Sequence, residues 1–273
     1  MDLVFISDPH DARIAAFRDV KERDLTGREG LFVAEGEVVL RVLSSEASQC
    51  QAVAVLIAEK RLESLRPILE AFGDDVPIYL AGQEVLDAIA GFHLHRGILA
   101  LGRKPEAHSL DEVLAQLEAR EDERQVLVAA SGIGNHDNMG GIFRNAAAFG
   151  AGAVLMDSAC CDPFYRKAIR VSVGAVLRTP MVTGLSAAQM VAGLQARGWE
   201  VLALTPSAEM ILSDFIPGPR TVILLGSEGP GLSQAAIDTC TPIGIRMAGG
   251  FDSLNVATTS GIALHQLVTA KSG

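Results

Sequence analysis

One acid stands in a glycine-rich break late in the chain. The run Thr221-Val-Ile-Leu-Leu-Gly-Ser-Glu-Gly-Pro-Gly-Leu-Ser233 sets four aliphatic residues, Val222 to Leu225, ahead of Gly226, Glu228, Gly229, Pro230 and Gly231. The aliphatic stretch reads as a strand buried on both faces, and a carboxylate held in a glycine-rich turn at a strand end is a candidate site. A second polar loop follows in Ile245-Arg-Met-Ala-Gly-Gly-Phe-Asp-Ser-Leu-Asn-Val256. It reads as a short apolar strand and a Gly249-Gly250 loop, with Ser253 and Asn255 placed where a helix ending near Lys271 begins. A third, Ser131-Gly-Ile-Gly-Asn-His-Asp-Asn138, leads from a buried strand into a helix expected over 141–149. That puts Asn138 at a helix mouth and Arg144 inside the helix. Read alone, Asn138 is an N-cap and Arg144 a partner for a sheet-end acid. Gly132 and Gly134 could open a dinucleotide fingerprint, but the position of the third glycine is Asp137, so the match fails.

These loops need a frame, and the apolar runs supply it. From 125 onward, Val126 to Ala130, Ala153 to Met156, Val201 to Leu204 and Val222 to Leu225 each precede a loop, with helical patterns between. That order predicts a mostly parallel α/β sheet covered on both faces, with ligands at the carboxyl ends of its strands. Residues 1–104 read as a smaller α/β unit, with strands near 30–34, 52–58, 76–80 and 97–101 and helices near 10–24, from 36, near 60–72 and from 83. Gly102 to His108, interrupted by Pro105, reads as a linker, and Ser109-Leu-Asp-Glu112 has the form of a capping box. The expected domains are therefore 1–104 and 108–273.

The 273 residues are 49% hydrophobic and 21% charged, ordinary for a globular chain with a substantial core. No apolar run approaches the roughly 20 residues that cross a bilayer, and the N-terminus lacks the basic-then-apolar order of a signal peptide, so a cytoplasmic protein without membrane contact is expected. Cys50, Cys160, Cys161 and Cys240 show no CxxC spacing and read as buried free thiols. Cys160 and Cys161, as neighbours on a strand, would point to opposite faces and make a poor metal-ligand pair.

The ordered set Asn138-Met-Gly-Gly-Ile-Phe-Arg144-Asn-Ala-Ala-Ala-Phe-Gly150, Leu225-Gly-Ser-Glu228-Gly-Pro-Gly-Leu232, then Ile245-Arg-Met247 and Ser253-Leu-Asn-Val256 resembles the three signature motifs of the SpoU (TrmH-type) RNA ribose 2′-O-methyltransferases of the SPOUT superfamily. The likeness covers roughly 125–268. The first hundred residues resemble the ribosomal-protein-like RNA-binding domain that often precedes this catalytic domain, through Phe32-Val-Ala-Glu-Gly36 and His95-Arg-Gly-Ile-Leu99. The resemblance implies a C-terminal SPOUT domain with a deep trefoil knot, S-adenosylmethionine held largely by backbone at Gly226, Ile245 and Leu254 with Thr205 nearby, and a homodimer. It also implies catalysis by Asn138, Arg144, Glu228, Ser253 and Asn255 without a metal. Arg144 has the central role, either as general base or as electrostatic stabiliser of the developing alkoxide. A guanidinium with a pKa above about 12 favours the second. The chain departs from the pattern at Arg246, where proline is common, at Ala257-Thr-Thr-Ser260, where many members carry Ser-Val-Ala, and at His265, where an aromatic residue is frequent. Arg246 is thus open to a role as a substrate contact.

The resemblance favours ribosomal RNA over transfer RNA, because an appended N-terminal domain recurs among members acting on the former. A catalytically silent RNA-binding or assembly protein of the same fold is the rival reading. The formal net charge of −10 excludes RNA binding through bulk electrostatics, so phosphate contacts must be local. The cluster Arg13, Arg18, Lys21, Arg23 and Arg28 is interleaved with acids and reads as a solvated face, although Arg28 is a candidate RNA contact. Arg166, Lys167 and Arg170 have no acid among them and are the stronger candidates. Replacing these three with alanine is expected to weaken RNA binding and flatten its dependence on salt while leaving S-adenosylmethionine binding intact; an unchanged salt slope in a titration would overturn that expectation.

Overall fold

The computed structural model describes residues 2–18, 25–27, 29–90, 97–120, 124–249 and 252–270. Arg28 and the His95-Arg96 part of the N-terminal signature lie outside the described residues. The chain divides into two compact units, Met1–Pro105 with Asp162–Arg178, and Glu106–Cys161 with Thr179–Gly273.

The first unit is a five-stranded sheet in the order β1 (Leu3–Ile6), β4 (Ile78–Ala81), β3 (Gln51–Ala58), β5 (Ile98–Arg103), β2 (Leu31–Glu35). β4 runs parallel to both β1 and β3, whereas β5 is antiparallel to β3 and β2. Helices α1 (Glu37–Leu43), α2 (Leu62–Leu69) and α3 (Gln83–Ala90) pack around it. Of the helix expected near 10–24, the described part forms a short 3-10 turn over Ala12–Phe17, begun by Asp11, whose carboxylate accepts from the Arg13 backbone and side chain; 19–24 lie outside the described residues. The segment Asp162–Arg178, expected in the second domain, belongs to this unit. Phe164 stacks against Phe32 at 5.3 Å, Lys104 Nζ meets Asp162 at 2.5 Å, and Gln49 N–H donates to the Leu177 carbonyl. Its helix α6 is Arg166–Val171.

The second unit holds a six-stranded, wholly parallel sheet in the order β11 (Thr241–Ile243), β9 (Glu200–Leu204), β10 (Arg220–Leu225), β6 (Gln125–Ala130), β7 (Val154–Asp157), β8 (Met181–Leu185). Alternate residues of the central strands face opposite sides, so an apolar run with no polar break is what two covered faces require. Leu127, Leu155, Val222 and Leu224 pack with α4 (Leu110–Glu118), α7 (Ala187–Ala196) and the short α8 (Gln234–Asp238) around the buried Trp199. On the other face lie α5 (His136–Ala148) and α9 (Val256–Thr269), the latter packed on β10 and β6. Ser109 caps α4 with both halves of the capping box formed.

Strand β1 is a four-residue apolar run that the sequence expectation did not include. Strands β8 and β11 were not legible as apolar runs, β8 being broken by Thr183 and Gly184 and β11 carrying Pro242. Proline is tolerated there because β11 is an edge strand. The strand expected at Ile245 is absent for a related reason. Gly244 N–H donates to the Met210 carbonyl and Gly244 O accepts from Leu212, so from this residue onward the backbone bonds to a loop and not to the sheet. Cys160 and Cys161 likewise sit in the turn after β7 and not on a strand; they and Cys240 are half-buried and only Cys50 is buried, all four as free thiols. Among the described residues no helix is long and apolar enough to cross a membrane.

Candidate active site

The loops that follow β9, β10 and β11 converge with the start of α9 to enclose a cleft of about 770 Å³. Its walls include Thr205, Gly226, Glu228, Ile245, Ser253, Leu254 and Asn255, so the cofactor-binding positions expected from the sequence and three of the five catalytic ones are brought together. The remaining two, Asn138 and Arg144, are on α5. Ser227 and Gly231 close the β10 loop with an isolated bridge, and a Cβ at Gly226 would lie 2.4 Å from the Leu232 nitrogen. No side chain fits at position 226, so the wall there is bare backbone.

Asn138 is the junction of the polar side. The structure starts α5 at His136 with Asn135 as its N-cap, so Asn138 is not a cap but a helix-interior residue, 5% exposed. Its Nδ2 donates to Glu228 Oε1, and its Oδ1 accepts from Asn255 Nδ2 at 2.8 Å. Asn255 in turn caps α9, with its Oδ1 accepting from the Ala257 and Thr258 backbones. The array Asn255–Asn138–Glu228 therefore aims a carboxylate at the cleft from two helix ends and a glycine loop. Ser253 is exposed, with its hydroxyl at 3.5 Å from Asp252, a second carboxylate on the wall. Arg144 is also exposed. It forms neither a hydrogen bond nor an ion pair with another described residue, so the sheet-end acid considered for it is not its partner, and it does not line the cleft.

Helices α5 and α9 approach closely. A Cβ at Gly141 would sit 2.6 Å from the Ala257 Cβ, and Asn145 Nδ2 donates to the Ala257 carbonyl at 2.7 Å and to the buried Ser260 hydroxyl at 2.9 Å. The departure at Ser260 thus has a partner in Asn145.

Asp157, which the sequence reading passed over, sets the loop that leads to α5. It is 8% exposed at the end of β7 and accepts from Ser131 Oγ at 2.7 Å, Gly132 N–H at 3.0 Å and Ala159 N–H at 3.1 Å. Burial opposes its ionisation, but these donors and the Cys160 thiol outweigh it and hold the carboxyl below the usual range. Burial pushes the Cys160 thiol up to about 12, and its sulfur accepts from Ile133 N–H at 3.4 Å. A lone acid ending an apolar strand was the available signal. The basic positions Arg166, Lys167 and Arg170 fall on α6 of the first unit, where both arginines lie 3.9 Å from Glu35. Arg246 is largely exposed, 3.7 Å from Asp214.

The SpoU rRNA Methylase family model matches residues 125–265, more than half of the chain. The chain belongs to this family. Its relatives include an uncharacterized tRNA/rRNA methyltransferase of Mycobacterium bovis, 34% identical across 97% of this chain and 92% of that protein. Another is the 23S rRNA (guanosine-2'-O-)-methyltransferase RlmB of Photobacterium profundum, 30% identical over 84% of this chain and 94% of that protein. The fold is that of the SpoU methyltransferase AviRb from Streptomyces viridochromogenes in complex with AdoMet, with a TM-score of 0.78 at 23% identity, covering 96% of this chain and all of that one. As a SpoU methylase the protein is an RNA methyltransferase, and the motifs on which the sequence resemblance rested lie inside the matched span.

The lowered pKa of Asp157 gives a signed expectation. A carboxyl whose folded pKa lies below its unfolded one adds stability that is complete above the unfolded value, about 3.9, and lost as pH falls through the folded value. Asp157→Asn is expected to be less stable than the native chain by about 1–3 kcal/mol at neutral pH, with the gap closing under acid below about pH 4. Denaturant melts across pH measure this; a gap that is constant with pH would refute the assignment.

Proposed function

We propose that the protein transfers a methyl group from S-adenosylmethionine to a ribose 2′-hydroxyl of structured RNA, with ribosomal RNA as substrate in preference to transfer RNA. The observation that carries this reading is the Asn255–Asn138–Glu228 array beside a cleft with a bare-backbone wall. The preference for ribosomal RNA draws on the relative named for 23S rRNA and on the additional α/β unit.

The cleft suits such a donor. Its volume is in the range of about 300–1,000 Å³ usual for small-ligand sites. Gly226, Ile245 and Leu254 present backbone and apolar surface for an adenosine, and Thr205 stands at the end of β9. The charged residues on its described walls are the carboxylates Glu228 and Asp252, which complement a cationic sulfonium. When bound, the donor supplies an electrophilic methyl group. Everything else falls to the chain. Asn138 fixes the Glu228 carboxylate, which orients the incoming hydroxyl and favours loss of its proton. Arg144, on α5 outside the cleft wall and with no ion pair to another described residue, is left to stabilise the developing alkoxide or the neighbouring phosphate.

The loop from Thr205 to Leu212 clasps the backbone at Ile243 and Gly244 on two sides, through Thr205 N–H to Ile243 O and the paired bonds of Gly244. We take this clasp as the crossing point of a trefoil knot. Ile262 and Val268 remain 41% and 38% exposed on α9, apolar surface that a second copy would cover in a homodimer.

The test is transfer of labelled methyl to ribosomal and transfer RNA lacking the native modification, with the ribose located by nuclease digestion. Label should enter a ribose of ribosomal RNA, and Arg144→Ala and Glu228→Ala should each slow transfer about 100-fold or more. Label in transfer RNA alone would reverse the preference, and donor binding with no transfer to either would favour the silent reading. Light scattering should give twice the 28.8 kDa chain mass; a monomer would end the dimer proposal.

A further inference from the structure

Val173 occupies a backbone conformation that its side chain opposes. It follows α6, whose end forms a Schellman motif: Gly174 N–H donates to the Ile169 carbonyl and Val173 N–H to that of Arg170. The residue at the turn of this motif adopts left-handed geometry and is usually glycine. Here it is a valine at φ 49°, the one non-glycine residue with positive φ among those described, and a β-branched side chain is the least suited to that region. Such strain costs on the order of 1–3 kcal/mol and persists where the surroundings impose it.

Packing of Val173 into a core does not repay the strain. Ser172, Gly174, Ala175, Val176 and Leu177 are all buried, whereas Val173 is 40% exposed. Ser172 fixes the turn from inside, its hydroxyl donating to the Ile169 carbonyl at 2.9 Å. A buried turn thus lifts one apolar side chain into solvent. The helix that ends there carries Lys167, exposed, and Arg170, whose side chain is 53% exposed, with Arg166 a turn earlier. The Glu35 carboxylate on β2, 11% exposed, lies 3.9 Å from both guanidiniums. An apolar side chain lifted beside cations suits a nucleic-acid strand, which offers phosphate to the cations and the face of an unpaired base to an apolar contact.

We propose that Val173 is an RNA-contact residue that packs against an unpaired base of the substrate, while Lys167 and Arg170 hold the adjoining phosphates. The proposal rests on the RNA methyltransferase reading above and adds a recognition element to it. A duplex hides its base faces, so the contribution of Val173 is confined to single-stranded segments.

Val173→Gly separates the contact from the fold, because glycine relieves the strain. The full-length variant should melt at or up to about 4 °C above the native protein and bind S-adenosylmethionine unchanged. Fluorescence anisotropy with a labelled 20-nucleotide single-stranded RNA should show about five- to tenfold weaker binding for the variant, with the salt slope preserved. A duplex RNA of the same length should bind the variant and the native protein equally. Lys167→Ala should weaken both RNAs and lower the salt slope by about 1. Equal single-strand affinity of Val173→Gly and native protein would overturn the proposal, as would a lower melting temperature, which would make Val173 a packing residue, or a changed oligomeric mass, which would make it a protein contact. Failure of the native protein to methylate any RNA would instead remove the underlying reading.

Discussion

The site depends on one buried carboxamide. Asn138 uses both ends of its side chain, accepting a hydrogen bond from Asn255 and donating one to Glu228, and is almost wholly shielded from water while doing so. Neither end could be left unmade without the cost of a buried unsatisfied group. This constraint fixes residue types. Aspartate at 138 would set a carboxylate against Glu228, and leucine would orphan Asn255. At 255, serine or aspartate would cap α9 as well as asparagine does but would lack the amide N–H that reaches Asn138 while the oxygen caps the helix. The amides are therefore chosen by the pair of demands they meet, and cleft geometry and the start of α9 are set by the same atoms.

Three strand ends must be held in register for that array to form, and each is tied by a different device. The loop after β6 is bound to the end of β7 through the Asp157 carboxylate. The loop after β10 is tightened by the Ser227–Gly231 bridge over a residue with no room for a Cβ. The segment after β11 is gripped by the Thr205–Leu212 loop, which takes both backbone groups of Gly244. Against the other side of the sheet, α5 and α9 close to the distance of a glycine facing an alanine and are pinned by Asn145 to Ser260. The departures from the family pattern near α9 are thus paired within the molecule, whereas Arg246 gains only a distant, exposed partner in Asp214.

Much of this was legible because it rests on local rules. Long uninterrupted aliphatic runs marked the four central strands, since burial on both faces leaves no place for polar alternation, and Ser109-Leu-Asp-Glu112 announced α4. Spacing placed Glu228, Ser253 and Asn255 at strand and helix ends, where the cleft is found. What escaped depends on contacts distant in sequence. Asn138 reads as a cap until its partners 90 and 117 residues away are known. Asp157 is one acid after an apolar run until Ser131 reaches it. The membership of Asp162–Arg178 in the first unit follows from Phe32, Glu35 and Gln49, which no periodicity links to that segment.

The acidic balance of the chain bears on how it can meet a polyanion. With a net charge of −10, long-range attraction is absent, so affinity must come from a few cations placed by the fold and from contacts that charge does not govern. Arg166 and Arg170 are not simply free cations, because Glu35 shares in their charge; a phosphate that displaces this ion pairing gains less than it would from isolated arginines. On the proposed reading, an RNA surface at this helix would discriminate by shape and by exposed base more than by charge, because its few cations share a carboxylate.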